Sequence, residues 1–561
     1  MCRYLKVAIF LSAFFTLRLQ AQERAARKLE IAVFSAIKKG YPASVRIWGF
    51  DTIRNERTSA QFSGVVATKD GHILTAAHTI EPGKSYKVFF PDGKSCIAIA
   101  LGKIEVKETP GAPDIGMMKI VSAGVWPYAE MGFSSKLKKD ATCLSISYPE
   151  SLNQSSPTLR LGKIITAKNQ YGFIQSTCKM EPGDSGGPLF DILGRVIGLH
   201  SAIDIDEDMN FEIPIDLYRK YWTALLLENK YVLLPPETDS SLEDRAVSTI
   251  NNIFQKKMPA KLPNVQGSTF LITSILNKKS SMAMATLFNV ADASGKKRQV
   301  FISKNTLVGD SIGVVIRGEK LPLSILFRDQ ENDLVMLETG KRTIAGAGLM
   351  IKEKEGFSNP IGKILFTARE DGSFIQSALG SELFDLQKKS SLPYLGAMVV
   401  YQSSPVVFSL IKEGSPAEMA GLRIGDELIS INNHKIKNSG GFAAAIASFW
   451  PGDAIELKWF RDGETISNVV KLTAPNIAVT NHPVEKFTGG KSVRRDGFKQ
   501  IYTHDLALTP EMAGSAVFDL QGNFIGINIA RYSRASSLII PGTQIQAFIN
   551  NKLNLKPQLN L

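Results

Sequence analysis

The sequence predicts a mainly β protein built from two strand-rich units, the second of which is interrupted by an inserted module. Three observations carry this prediction. Residues 42–230 contain many short β-branched or alternating runs broken by Gly, Pro, Asn and Asp. The same order of strand-like segments restarts near residue 263. Finally, EPGDSGGPLFDILGRVIGLHS at 181–201 shares its skeleton with TPEMAGSAVFDLQGNFIGINI at 509–529.

Length and composition are those of a multidomain globular protein. A chain of 561 residues is too long for a single core, and we expect three domains. Hydrophobic residues make up 44% and charged residues 21%, which are ordinary values. The formal net charge is +13, but the Lys and Arg residues are spread along the chain. This pattern favours a solvated, substrate-attracting or envelope-facing surface, and we expect no nucleic-acid partner.

The N-terminus is typical of a secretory signal peptide, predicted over residues 1–21. A basic MCRYLK segment precedes the apolar run VAIFLSAFFTL and the small-residue exit LQAQ. The apolar run is too short for a good membrane span, and we expect no transmembrane segment elsewhere. The mature protein is therefore expected to be exported to the periplasm or to the extracellular space.

The cysteines do not form an obvious framework. With Cys2 in the leader, Cys96, Cys143 and Cys178 remain, and an odd number leaves at least one unpaired. One Cys143–Cys178 bridge and three inert buried thiols are both open interpretations. Neither CxxC nor HExxH occurs, so we expect no metal site and no cofactor.

Residues 22–232 are predicted to form the first folded unit. Its strand candidates include FSGVVAT, HILTAA, SYKVFF, ATCLSIS and RVIGLH, and RKYWTALLLENK is predicted to be a closing helix. The polar, Pro-containing stretch LPPETDSSLEDRA indicates a linker over residues 233–262.

The second unit is predicted to be split into residues 263–390 and 476–561. RQVFISKNTLVGDSIGVVI aligns with GHILTAAHTIEPGKSYKVFF, and NDLVMLET aligns with PDIGMMKI. The interval from NDLVMLET to the closing turn is much longer than the corresponding interval in the first unit. The excess has about the size of one small module, which we place at residues 391–475.

Three separated residues of the first unit match the needs of a serine nucleophile, which requires a nearby base and an acid that orients it. Among six histidines, only His78 ends an apolar strand with small neighbours, in LTAAH. Asp114 opens the strand candidate APDIGMMKI, where a carboxylate can face inward and hold an imidazole. Ser185 lies in GDSGGP, whose glycines permit a tight turn. This order and setting predict active serine hydrolysis.

The same turn offers donors for a developing oxyanion. The backbone N–H groups of Gly183 and Ser185 are predicted to point in one direction. Each such donor typically contributes about 2.7–4 kcal/mol to transition-state stabilisation.

The runs SGVVATKDGHILTAAH, DIGMMKI and GDSGGPLFDILGRVIG resemble the trypsin-like fold, and more closely the HtrA-type (Deg-type) secreted proteases. NFEIPIDLYRKYW is similar to that family's final strand and closing helix. Over residues 42–230 the resemblance implies two six-stranded barrels, with His78 as general base, Asp114 as orienting acid and Ser185 as nucleophile between them. The chain lacks a recognisable processed Ile-Val-Gly-Gly start, so we expect no activation by N-terminal trimming.

Two residues are candidates for the substrate pocket. Lys179 precedes the nucleophile by six residues, and His200 lies on the strand expected to form the pocket wall. VIGLH also resembles the corresponding strand of glutamyl-specific bacterial proteases. Two cations here would favour an acidic residue before the scissile bond. The alternative is that Lys179 points to solvent and His200 is a satisfied wall residue.

The inserted module resembles a PDZ domain of the protease-associated type, through YLGAMVV, VVFSLIKEGSPAEMAGLRIGDELISINNHKI and AIELKWFRDG. Such domains add an extended peptide to a sheet edge and capture its terminal carboxylate in a small loop. The resemblance places that loop at Leu395, Gly396, Ala397 and Met398. The alternative is a PDZ fold that only scaffolds the second unit.

The second copy lacks the catalytic constellation. Lys304 stands in place of the histidine and Ala513 in place of the serine, while Asp333 keeps the carboxylate. Ser515 lies two residues further on, but its neighbours do not reproduce the Gly-x-Ser turn. His504 and Asp505 are adjacent on a strand and point to opposite faces, so we interpret them as structural.

Two hypotheses follow. The first is an exported serine endopeptidase that cleaves polypeptides, including misfolded ones, with peptide termini bound at the PDZ domain. The alternative is a chaperone-like, peptide-binding scaffold in which proteolysis is secondary. The resemblance to HtrA-type proteases leaves homo-oligomerisation open, although no trimerisation segment is recognisable.

Overall fold

The computed structural model describes residues 24–106, 113–237, 267–291, 297–316, 318–340, 343–345, 347–350, 360–475 and 482–553. The predicted signal peptide, Cys2 and most of the predicted linker lie outside them. Strands dominate the described residues, and the predicted mainly β fold class is confirmed. No helix in these ranges is long and apolar enough to cross a membrane.

The strands of the first unit form two barrels. Its strands are β1 Ser44–Asp51, β2 Glu56–Arg57, β3 Phe62–Val66, β4 His72–Ala76, β5 Ser85–Phe89, β6 Ser95–Glu105, β7 Asp114–Ile120, β8 Thr142–Ser147, β9 Thr158–Thr166, β10 Ile174–Ser176, β11 Pro188–Asp191, β12 Val196–Ile203, β13 Asn210–Pro214 and β14 Lys230–Tyr231. The order β6-β5-β1-β3-β4-β7 is closed by β6–β7 pairing, and β10-β13-β12-β11-β8-β9 is a closed barrel. Each barrel encloses its own apolar core.

A helix at residues 24–40, α1, precedes the first barrel and was not predicted from the sequence. Its buried stripe follows the three- and four-residue spacing of an amphipathic helix. The stripe consists of Ala26, Leu29, Val33 and Ala36. Lys39 donates to the carbonyl of Leu193, at 3.0 Å, and the Ile364 N–H donates to the Glu30 carboxylate, also at 3.0 Å. The helix therefore links the first unit to the second.

The closing helix of the first unit differs from its prediction over RKYWTALLLENK. It begins earlier, as α2 Ile215–Lys220, and continues as α3 Trp222–Leu225. Tyr221 separates them with a non-helical backbone at φ −114° and ψ 20°. The chain then turns into β14, which pairs with β6, so residues 226–230 are not helical.

The remaining elements belong to the second unit and the inserted module. Their strands are β15 Thr269–Leu276, β16 Lys279–Ala291, β17 Lys297–Lys304, β18 Asp310–Ile316, β19 Glu319–Pro322, β20 Ser324–Asp329, β21 Leu334–Glu338, β22 Ile364–Ala368, β23 Phe374–Ala378, β24 Phe384–Leu386, β25 Ala397–Val399, β26 Val406–Ile411, β27 Glu427–Ile431, β28 His434–Lys435, β29 Ala454–Arg461, β30 Glu464–Lys471, β31 Phe498–His504, β32 Ala516–Asp519, β33 Phe524–Arg531 and β34 Ser537–Pro541. The helices are α4 Pro416–Met419, α5 Ser439–Ser448 and α6 Gly542–Leu553.

The second unit repeats the strand order of the first. Its sheets run β19-β18-β15-β16-β17-β21-β20 and β23-β22-β32-β33-β34-β31-β24. The former sheet corresponds to the barrel β6-β5-β1-β3-β4-β7 of the first unit, with β19 and β20 together in the place of β6. The latter sheet corresponds to the barrel β9-β8-β11-β12-β13-β10, with β24 as an additional strand. A Leu379–His504 bridge joins the β23 and β31 ends.

The inserted module is a compact unit formed by residues Leu386–Thr480 and Val493–Phe498. Its sheet has the order β25-β26-β27-β29-β30, so β25 lies at an edge. Ser415 caps α4 by accepting a hydrogen bond from the Glu418 N–H, and Asn438 caps α5 in the same way.

Candidate active site

His78 and Asp114 meet at the end of the first barrel. His78 lies in a single 3-10 turn directly after β4, and Asp114 is the first residue of β7, which pairs with β4. The His78 ring atom Nδ1 is 2.8 Å from Asp114 Oδ2, and the His78 backbone N–H donates to Oδ1 at 3.0 Å. Ser201, a residue not singled out from the sequence, donates its hydroxyl to Oδ2 at 2.7 Å. Three donors therefore fix the carboxylate.

The electrostatic setting of His78 favours its protonated form. Burial acts to lower the pKa of the ring, but the hydrogen bond and charge of Asp114, with the charge of Glu105, outweigh burial and raise it. The ring remains about 42% exposed, so solvent moderates this effect. Such a group can accept a proton near neutral pH and hold it beside a carboxylate.

The turn that carries Ser185 requires its glycines. Gly183 has φ +97°, and a Cβ there would lie 2.4 Å from the Glu150 nitrogen. Gly186 has φ +77°, and a Cβ there would lie 2.0 Å from the Thr75 hydroxyl. Because Thr75 belongs to β4, the turn packs directly against the strand that leads to His78. The turn of Ser185 and the turn of His78 therefore lie near the same end of β4, and no hydrogen bond joins their side chains among the described residues.

The backbone donors beside Ser185 are available. The Glu150 N–H donates to the carbonyl of Pro182 at 2.8 Å. A trans peptide points its N–H opposite to its carbonyl, so the Gly183 N–H points away from Glu150. Within the described part of the chain, neither the Gly183 N–H nor the Ser185 N–H donates a hydrogen bond. Both N–H groups can therefore serve as the predicted oxyanion donors.

The acidic residue before Ser185 is balanced by an internal cation. Asp184 is fully buried, and its Oδ2 is 2.8 Å from Nη1 of Arg160, a residue of β9 that is only 1% exposed. Ser147 donates its hydroxyl to the other carboxylate oxygen at 2.7 Å, and the Glu181 N–H donates to Oδ2 at 2.8 Å. Arg160 was not identified from the sequence, and its ion pair with Asp184 anchors the turn.

His200 does not supply a cation, which corrects the interpretation of a doubly cationic pocket. Its ring is completely buried, and Nε2 lies 2.6 Å from the Ser145 hydroxyl. Burial, with a smaller effect from the charge of Arg160, lowers the pKa of His200 to about 3. The ring is therefore neutral at physiological pH.

Lys179 lies at the boundary between the first and second units. Its Nζ is 3.9 Å from Glu207 Oε2. Lys179 also lines a crevice of about 390 Å³ that includes Gln376, Ser377 and Asp505 of the second unit. It is thus partly neutralised by acidic neighbours rather than directed into bulk solvent.

The second copy keeps the backbone of the turn and replaces its chemistry. The Met284 N–H donates to the Ala513 carbonyl at 3.0 Å, as the Ser63 N–H does to Ser185 at 2.9 Å. Gly514 keeps the left-handed backbone, with φ +99°. In place of an imidazole, Lys304 Nζ forms a 2.5 Å ion pair with Asp333, and both residues are buried.

The other polar residues predicted near this copy are tied into the fold. Ser515 is buried and donates its hydroxyl to the Met512 carbonyl at 2.6 Å. Asp505 accepts from the backbone N–H groups of Leu161 and Ala378, both at 2.8 Å. His504 is buried with Nδ1 3.0 Å from the Ser377 hydroxyl, and burial lowers its pKa to about 3. His504 and Asp505 have separate partners, in agreement with a structural role.

The predicted carboxylate loop of the PDZ unit lies at the start of its edge strand. The carbonyls of Leu395 and Gly396 accept from the N–H groups of Ala417 and Lys412, each at 2.9 Å. Gly396 has φ +78°. Met398 is 61% exposed and is therefore not a core residue.

The cysteine thiols Cys96, Cys143 and Cys178 are free. The Sγ atoms of Cys143 and Cys178 are 3.8 Å apart in the core of the second barrel, so the pair is close but not bonded. No cluster of three or more metal-ligating side chains occurs among the described residues.

Comparison with known families assigns two parts of the chain. A family described as trypsin-like peptidase domain matches residues 62–199, a range that contains His78, Asp114 and Ser185. A family described as PDZ domain matches residues 393–472. The chain is a serine endopeptidase.

The chain is similar to several curated serine proteases. A probable periplasmic serine endoprotease DegP-like from Hahella chejuensis is 25% identical over 424 residues, covering 73% of this chain and 80% of the relative. Its counterpart from Pseudomonas savastanoi is 23% identical over 429 residues, covering 75% and 80%. The putative serine protease HhoA from Synechocystis is 33% identical over 175 residues, covering 29% and 42%.

Proposed function

We propose that the endopeptidase hydrolyses polypeptides through Ser185, with His78 as general base and Asp114 as its orienting acid. The observation that carries this proposal is the His78–Asp114 pair, held at 2.8 Å beside the glycine-dependent turn of Ser185. The available N–H groups of Gly183 and Ser185 supply the oxyanion donors.

In the proposed mechanism the Ser185 hydroxyl attacks the scissile carbonyl while His78 Nε2 accepts its proton. The Nδ1–H of the ring donates to Asp114, which stabilises the imidazolium and fixes its tautomer. The protonated ring then gives its proton to the leaving amine, and an acyl-enzyme remains on Ser185. Water, activated by the same imidazole, hydrolyses this ester and regenerates the hydroxyl.

The substrates are proposed to be exposed polypeptides, including misfolded ones, in the periplasm or outside the cell. Names of periplasmic relatives and the predicted signal peptide support this location. The exposed edge strand β25 and the loop at residues 395–398 are proposed to bind peptide termini. The second trypsin-like unit is proposed to be a pseudo-protease, because Lys304 and Ala513 stand where a base and nucleophile are needed.

A fluorophosphonate probe and casein digestion test the proposal. The mature wild type is expected to be labelled and to cleave casein, whereas Ser185→Ala is expected to lose both activities. Ser515→Ala is the matched control, because that buried hydroxyl lies in the inactive copy and should not affect labelling. Labelling that persists in Ser185→Ala would refute the assignment of the nucleophile.

Lys179 is the remaining candidate cation for an acidic preference before the scissile bond. Peptide-library cleavage by wild type and Lys179→Ala tests it. A preference for small apolar residues that is unchanged in the variant would remove this part of the proposal.

The scaffold hypothesis has one observation in its favour, since the second unit retains a complete fold without the catalytic groups. It predicts that Ser185→Ala still suppresses aggregation of an unfolded protein as well as the wild type does. If Ser185→Ala no longer suppresses aggregation and no longer cleaves, the scaffold function is excluded.

A further inference from the structure

The second trypsin-like unit is packed against the loops that surround the active-site turn of the first. Residues 531–536, which connect β33 to β34, meet residues 204–209, which connect β12 to β13. These are corresponding loops of the two repeats. The loop at 204–209 is followed by Asn210, whose amide oxygen accepts from the Met180 N–H at 3.2 Å, so it lies beside the segment that leads to Ser185.

Two buried arginines of the second unit hold this loop. Arg531 Nη2 donates to Glu207 Oε1 at 3.0 Å. Arg534 donates to the Asp206 carbonyl at 2.5 Å and to the Asn210 side chain at 3.3 Å. Both arginines are only 1% exposed. A charged group at such depth is costly to bury unless it is paired. Arg531 also donates to the carbonyls of Ser533 and Arg534 in its own loop, which fixes the guanidinium in the position from which it reaches Glu207.

A third contact reaches the opposite side of the turn. Tyr532 donates its hydroxyl to the Ser151 carbonyl at 2.6 Å. Ser151 in turn donates its hydroxyl to the buried carboxylate of Glu181. Its neighbour Glu150 donates its N–H to Pro182, the contact that sets the direction of the Gly183 N–H. The tyrosine thus supports the segment that orients an oxyanion donor.

The fourth contact is made along the outer edge of β9. The N–H groups of Leu159 and Leu161 point away from β8 and donate to the Gly380 carbonyl at 2.9 Å and to Asp505 at 2.8 Å. Arg160 lies between them and forms the buried ion pair with Asp184. The second unit therefore fixes the strand whose arginine anchors the residue before Ser185.

We propose that the second trypsin-like unit is an intramolecular clamp that holds residues 204–210, residues 148–153 and β9 in the arrangement required for catalysis by the first. Arg531, Arg534 and Tyr532 are its positioning residues. This inference rests on the proposed function of Ser185 and gives the catalytically inactive copy a specific task. It also explains why that copy retains its fold.

The test compares the full mature chain with Arg531→Met/Arg534→Met. Each methionine keeps most of the apolar volume of the arginine side chain but lacks its hydrogen-bond donors. All proteins are assayed well below the unfolding temperature of the least stable variant. The variant is expected to lose kcat/KM on a fluorogenic peptide on the order of 10- to 100-fold, mainly in kcat, because misplaced catalytic groups lose their alignment. Fluorophosphonate labelling of Ser185 is expected to slow to a similar extent.

Arg328→Met is the matched control, because that arginine donates only within its own unit, to Asn305 and Val308. Arg328→Met is expected to keep kcat/KM within about twofold of wild type. Arg531→Lys keeps a cation at this position and should therefore retain part of the activity that the methionine variant loses. A folded double variant with wild-type kcat/KM and labelling would overturn the clamp while leaving the proposed function intact. A wild type without Ser185-dependent cleavage would instead overturn the proposed function.

Hydrogen exchange of Tyr532→Phe provides a second test that depends neither on turnover nor on the folding of the double variant. Loss of one hydroxyl is expected to accelerate amide exchange in residues 148–153, while exchange in the distant strand β1 stays unchanged. Unchanged exchange in residues 148–153 would contradict the clamp.

Discussion

The buried Arg160–Asp184 pair allows a sharp prediction about the turn of Ser185. In Arg160→Met, Asp184 keeps its charge in a fully buried position without a counter-ion. Breaking a buried ion pair in this way costs about 3–5 kcal/mol of unfolding free energy. The turn is also expected to shift, and each displaced oxyanion donor costs about 2.7–4 kcal/mol of transition-state stabilisation. We therefore expect kcat to fall by about 10²–10³-fold.

The companion variant is Arg160→Met/Asp184→Asn, which removes both charges. The Glu181 N–H and the Ser147 hydroxyl donate to different oxygens of Asp184, at 2.8 and 2.7 Å. The single asparagine oxygen can keep the bond from the Glu181 N–H, and its NH2 group can instead donate to the Ser147 hydroxyl oxygen. Urea unfolding and peptide hydrolysis are measured for the wild type, both single variants and the double variant. Stability and most of kcat are expected to return in the double variant. A double variant that is as unstable and inactive as Arg160→Met would refute the argument that the pair acts through charge balance.

Three further predictions concern other parts of the molecule. The kcat/KM is expected to fall as pH drops through the raised pKa of His78, because only the neutral ring accepts the serine proton. An unperturbed histidine titrates near 6.5, so a kcat/KM that stays constant down to pH about 5 would contradict this role. Lys304→Met is expected to lower the unfolding free energy by about 3–5 kcal/mol, because Asp333 stays buried and charged. Lys304→Met/Asp333→Asn should recover most of the lost unfolding free energy. Equal stability of Lys304→Met and wild type in urea would show that the pair is dispensable. Gly396→Val is expected to abolish binding of C-terminal peptides in fluorescence anisotropy, because Gly396 has φ +78° and a Cβ there would lie 2.2 Å from the Ser415 side chain. Cleavage of a short peptide is expected to stay unchanged. Retained peptide affinity would show that the binding site lies elsewhere.

Much of the fold could be predicted because local patterns and burial agree. The alternation in runs such as SYKVFF corresponds to β5, in which every second residue is buried. The repeat of strand order could be recognised because both copies end in a Pro, a small-residue turn and a hydrophobic-Gly-hydrophobic strand. The inserted module stood out because the interval before the second closing turn was too long.

The missing parts depend on contacts between segments far apart in sequence. Asp184 beside the candidate nucleophile implies that a cation is needed, but nothing local shows that Arg160 provides it. The neutral state of His200 follows from complete burial, which the short run VIGLH does not reveal. The α1 helix is an exception, because the three- and four-residue spacing of its buried stripe is visible in the sequence and was missed.

The second copy also bears on how hydrolases are recognised. Its turn preserves the left-handed glycine and the main-chain bond between adjacent strands, although an alanine occupies the reactive position. The main-chain shape at this corner is therefore kept although the serine is replaced by an alanine. A survey that ranks candidate enzymes by backbone superposition would count two reactive centres in a polypeptide that has side chains for one.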